Sequence, residues 1–173
     1  MRSTRTLVVL AVLVVLAAVV WYAVSNGGHR VGNSLTVYYT KLDGNTLGSE
    51  AVSMRPRAPG ESAAEHVRNA VLYAAVQAVA GPPSDVSAIR FPPGTRVVGA
   101  TVDGATARVD LSNDVERQAG GTFGENGEFK ALVYTVTSVP GISALQVTVG
   151  GQTLPSLPGG HLELDQPLHR SDF

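Results

Sequence analysis

The sequence predicts an α+β domain, one small mixed or antiparallel sheet with two helices packed on one face, preceded by a single transmembrane helix. Three observations carry this. Period-two apolar segments alternate with two segments of helical period. An unbroken apolar run fills Leu7 to Val24. The chain has 173 residues, no cysteine and 16% charged residues, so the exported part must form its core without disulfides or thiolate metal sites. About 140 residues follow the apolar run, enough for one domain with a core of its own.

Leu7 to Val24 reads LVVLAVLVVLAAVVWYAV, and as a helix rising about 1.5 Å per residue it covers ~27 Å of hydrocarbon. Arg2 and Arg5 precede it with no acidic residue nearby, so the positive-inside bias keeps residues 1–6 cytoplasmic and sends the rest across the cytoplasmic membrane. Trp21 and Tyr22 then fall at the outer interface. A cleaved signal peptide is the rival reading, because Ala23-Val24-Ser25 offers a small-x-small site. The run is longer than the roughly 7–15 residues of a signal h-region, which favours retention. Residues 25–34, SNGGHRVGNS, read as a flexible tether.

The predicted domain spans residues 35–154. Leu35, Val37 and Tyr39 alternate with Thr36, Tyr38 and Thr40 as a half-buried strand. Lys41 to Ser49 is rich in turn residues, and Ala51 to Arg57 reads as a weaker extended segment confined to an edge by Pro56 and Pro59. Ser62 and Glu65 form a capping-box pattern, so a helix starts there. Ala63, Val67, Ala70, Val71, Ala74, Ala75 and Ala78 give its apolar stripe, and Gly81-Pro82 ends it. His66 falls beside Glu65 on the polar side, as a solvated or locally paired histidine.

Thr95 to Leu111 predicts a hairpin turning at Asp103-Gly104, with Val98, Ala100 and Val102 sharing a face with Ala105, Ala107, Val109 and Leu111. Phe129, Leu132, Val133, Val136 and Val139 predict a second helix starting near Asn126 or Gly127 and stopped by Pro140-Gly141. Leu145, Val147 and Val149 alternate with Gln146 and Thr148 as a last strand, which Gly150-Gly151 turns toward Leu154. Residues 155–173 form a Pro/Gly-rich tail, read as an extended arm, packed or partly disordered.

Chemistry is sparse. Three of the four histidines sit in the tether or the tail, and the chain carries no G-x-S-x-G, S-x-x-K or H-E-x-x-H pattern, so no catalytic residue, cofactor site or enzymatic activity is expected. Asp110, Asp114 and Glu116 are the weak candidates for a metal. Oxygen ligands at alternate positions resemble the start of a calcium loop, but Val115 and Gly121 stand where that loop needs its glycine and its glutamate. Gly120 to Gly124 precedes a helix without the lysine of a phosphate loop and reads as a mobile surface loop. From Asn26 onward there are 11 basic and 14 acidic side chains, a net charge of −3, which argues against nucleic acid. Arg55, Arg57, Tyr38, Phe91 and Phe123 remain as candidate interaction residues, the arginines for a carboxylate partner and the exposed rings for a small molecule or glycan.

Ala74 to Pro82 (AAVQAVAGP), Phe91 to Ser112 (FPPGTRVVGATVDGATARVDLS) and Glu128 to Gln152 together closely resemble the GerMN domain. The resemblance covers Leu35 to Gln152. It rests most on the Pro-Pro-Gly-Thr before the hairpin, on Val109-Asp110-Leu111-Ser112, and on Tyr134-Thr135-Val136-Thr137 running into Pro140-Gly141. That family is known from spore-formation and germination proteins and from envelope lipoproteins, and its fold is similar to ring-building motifs of secretion-type complexes. The resemblance implies an extracytoplasmic scaffold module without enzymatic activity. This chain differs in having one copy and a transmembrane segment where the sporulation proteins have tandem copies and a lipid. The expected partner is an envelope protein or a second copy, and a small-molecule or cell-wall glycan-binding module is the alternative.

Overall fold

The computed structural model describes residues 33–117 and 121–173. The predicted cytoplasmic N-terminus, the anchor and most of the tether lie outside the described residues. Among the described residues no helix is long and apolar enough to cross a membrane.

β1 (Ser34–Thr40) and β2 (Leu47–Ser53) form an antiparallel hairpin. The expected weak strand thus lies earlier than the sequence placed it, because the intervening turn is short. The Asp43 carboxylate accepts from the backbone N–H of Asn45 and Thr46 and from the Thr46 hydroxyl, so the chain is extended again by Leu47. Pro56 and Arg57 fall beyond the pairing.

α1 (Ala63–Ala80) begins as predicted. The Ser62 hydroxyl accepts from Glu65 N–H, and the Glu65 carboxylate accepts from Ser62 N–H. Gly81 closes the helix with φ +73°, a conformation that suits glycine. Ala70, Val71, Ala74, Ala75 and Ala78 are buried, and the small side chains let the helix lie close on its neighbours, chiefly the strand Val97–Asp103 and the second long helix, Gly121–Val136.

β3 (Val97–Asp103) pairs with β4 (Thr106–Leu111) across a two-residue loop, Gly104-Ala105. The loop is one residue later than expected, and Gly104 supplies the positive φ, +57°, at its first position. A register shift between Val97 and Gly99 turns Val98 outward, 64% exposed, so it leaves the apolar face it was assigned to.

α2 (Gly121–Val136) carries the chain over to β5 (Ala144–Val149), which pairs parallel with β4. This helix starts about five residues before the predicted point, so the glycine-rich stretch read as a loop includes its first turn. Every residue of β5 is buried, Gln146 and Thr148 included. The tail contributes to this. Leu168 exchanges backbone hydrogen bonds with Leu145, the Gln146 amide donates to Leu164 O at 2.7 Å, and Leu157, Leu164 and Leu168 join the core. Continuous burial is the ordinary setting for a parallel strand.

The single predicted sheet is two: β1-β2 and β3-β4-β5. Hydroxyls explain the division. Along the outer edge of β1, Thr135 and Ser138 at the end of α2 bond to Tyr38 and Thr36 main-chain groups, and Thr40 donates to Gly127 O. The helix thereby satisfies edge groups that a neighbouring strand would otherwise take.

Candidate functional site

The β1–β2 turn is held from three directions. Asp43 ties it internally, and those hydrogen bonds, the Thr46 hydroxyl first, hold its carboxyl below the usual range. Lys130 on α2 donates to Asn45 O at 2.9 Å. The Phe123 ring, also on α2, lies over Gly44, where a Cβ would collide with it. On this braced turn Leu42 is 61% exposed and Phe123 57% exposed. Two large apolar side chains are thus exposed beside a turn held by these contacts.

Of the residues singled out in the sequence, Phe123 is therefore the ring presented to solvent. Phe91 is not: it is buried and meets Phe129 edge to face, 5.8 Å between centroids, as a core residue. Tyr38 is half-buried and packs edge-on with Tyr134 at 5.7 Å. Arg170 stacks over both rings at 5.6 and 4.9 Å and donates to Thr137 Oγ1 and Tyr134 O. Tyr38 thus serves to clasp the C-terminus.

Arg55 and Arg57 both bind Glu61. The Glu61 carboxylate accepts from Arg55 Nη1 and Nη2 at 3.0 and 2.7 Å, from Ala58 N–H and from the Asn69 amide, while Arg57 Nε donates to Glu61 O. His66, buried, places Nδ1 3.3 Å from the same carboxylate. It is locally paired, but it lies among the buried residues of α1 and not on the polar side where the sequence placed it. Glu61 is consequently lowered to about 2, with the Arg55 hydrogen bond the largest cause.

Two of the three weak metal candidates, Asp110 and Asp114, already face donors. Asp110 Oδ1 accepts from the Thr148 hydroxyl and from Gly151 N–H, both at 2.8 Å. Asp114 faces Ser112 Oγ at 3.2 Å, Arg117 at 3.1 Å and Arg96 at 3.9 Å. Glu116 sits half-buried on the following turn. Among the described residues no three histidine or acidic side chains converge to hold a metal.

One polar feature escaped the sequence reading because α2 starts early: Glu125 and Glu128 both lie on its buried side. Glu125 Oε2 accepts from His161 N–H at 3.0 Å, and the carboxylate fills the space where a Cβ on Gly160 would stand. Glu125 Oε1 and Glu128 Oε2 have no hydrogen-bond partner among the described residues. Burial first and the Glu125 charge second push Glu128 up to about 7.

The sequence model of a family described as sporulation and spore germination, Germane, matches residues 36–155. No curated protein sequence matches. A solved protein of Clostridium perfringens described as a lipoprotein is 19% identical, covering 80% of this chain and 87% of its own, with a TM-score of 0.56. The first GerMN domain of the Bacillus subtilis sporulation protein GerM is 21% identical over 80% of this chain and 98% of its own, TM-score 0.55. The tandem GerMN domains of that protein match at 20% identity and TM-score 0.57 over 80% of this chain. The chain spans 46% of the tandem structure. At these identities the likeness is one of fold.

Proposed function

The chain belongs to the Germane family of sporulation and spore germination, and from that membership we propose that it is a non-catalytic scaffold or protein-interaction module of the bacterial cell envelope, anchored by residues 7–24. The N-terminus stays in the cytoplasm and the globular domain works outside the cytoplasmic membrane, where it contacts an envelope protein or a second copy of itself. The observation that carries this reading is the braced turn with Leu42 and Phe123 exposed on it. Further support comes from the apolar run behind Arg2 and Arg5, and from acidic side chains at Asp110, Asp114 and Glu61 that are already satisfied by internal donors.

The lack of cysteine makes the test direct. Ser49, exposed on β2, is replaced by cysteine in otherwise unchanged full-length chain, and intact spheroplasts are treated with a membrane-impermeant maleimide. Labelling before lysis supports the external placement. Labelling only after lysis overturns it.

A further inference from the structure

Between α1 and the end of β2 lies an open groove of about 590 Å³, within the volume range of small-ligand sites. One wall is apolar: Met54, Ala70, Leu72, Tyr73 and Val76. Leu72 and Val76 are 36% and 42% exposed. The groove's other end is polar and carries Arg55, whose side chain is 55% exposed.

The way Arg55 is held decides what that end can take. Glu61 meets the guanidinium end-on, through one hydrogen of Nη1 and one of Nη2, and Pro56 O accepts the second Nη1 hydrogen at 3.2 Å. Three of five donors are used. The remaining two, Nε–H and the outer Nη2–H, point parallel along the side-on edge of the fork, and no described residue accepts them. That edge matches two oxygens of a carboxylate or phosphate. Arg55 and Arg57 against Glu61 leave one net positive charge here, and Glu61 keeps the guanidinium oriented before any ligand arrives.

We propose that this groove is a binding site for a single-chain anionic amphiphile, an apolar chain lying along Leu72, Tyr73 and Val76 with its oxyanion on the free edge of Arg55. The site is separate from the Leu42 and Phe123 surface, and it does not depend on that surface having a protein partner.

The test uses the full chain in phosphatidylcholine nanodiscs, empty discs serving as the blank, with octanoate, octyl phosphate and octanol as probes. The readouts are the dissociation constant and the Arg55 Nε–H resonance. At least one of the two anionic probes binds about tenfold more tightly than octanol and shifts that resonance, and whichever binds better identifies the head group. Arg55→Lys keeps the charge and the contact to Glu61 but loses the fork, so it removes the anionic advantage. Val76→Ser, at an exposed position, weakens all three probes together. Equal binding of octanol, or an anionic advantage that survives Arg55→Lys, overturns the proposal. So does the absence of binding at millimolar concentration. If phosphatidylglycerol discs alone shift the resonance and no octyl probe does, Arg55 contacts the membrane surface instead, and the proposal fails.

Discussion

The Thr135 hydroxyl serves both main-chain groups of Tyr38, accepting from its N–H at 2.8 Å and facing its carbonyl at 3.4 Å. A helix side chain thus takes the place of a neighbouring strand along β1. Replacing Thr135 by valine keeps the shape and strands a Tyr38 N–H in a part-buried site. The expected cost is about 1–3 kcal/mol in denaturant unfolding, against much less for Thr135→Ser. Equal stability of all three proteins would show that this edge is satisfied another way.

Glu128 gives the pH dependence a definite sign. Its folded-state value, about 7, is raised above a glutamate's ordinary value of 4.5, so the folded chain holds this proton more tightly than the unfolded chain. The stabilisation is full below 4.5 and is lost as pH rises through 7. Glu61 acts oppositely: lowered to about 2, it stabilises above 4.5 and loses that contribution as pH falls toward 2. Stability should peak between these ranges and decline by on the order of 1–2 kcal/mol from pH 5 to pH 8. Glu128→Gln should flatten the upper decline. A variant that keeps the wild-type slope would remove Glu128 as its source.

The family match ends at residue 155, yet Leu157, Leu164 and Leu168 are buried beside β5. Each such side chain contributes about 1.5–3 kcal/mol, large against the 5–15 kcal/mol that usually separates folded from unfolded. Ending the chain at residue 156 should abolish cooperative thermal unfolding. A sharp transition near the full-length midpoint would mean that the tail is dispensable.

Gly160→Ala tests the tail's second attachment. The new methyl would land on the Glu125 carboxylate, so the His161 N–H contact must give way. Amide exchange at His161 should quicken at least tenfold while Val109 in the core stays protected. Unchanged exchange at His161 would contradict that arrangement.

How much of this was legible follows from where the signals are local. The capping box at Ser62 and Glu65 and the glycine-led β3–β4 turn are written in neighbouring residues, and both formed, the turn one residue along. The division into two sheets depends on Thr135 and Ser138 meeting β1 about a hundred residues away, which no periodicity records. Burial of Gln146 depends likewise on the tail. Phe123 was recognisable as an exposed ring, whereas Phe91 was misplaced because its partner, Phe129, lies on a distant helix. Leu42 carried no signal beyond an apolar residue in a polar turn.

The most direct measurement is photo-crosslinking from position 123 in living cells, with a benzophenone amino acid replacing Phe123 and a control placed at Arg108, also exposed but on β4. The expected result is a discrete adduct with an envelope protein or a second copy from position 123 and none from 108. Absence of any adduct from position 123, with the protein present at wild-type level, would contradict a contact role for this surface.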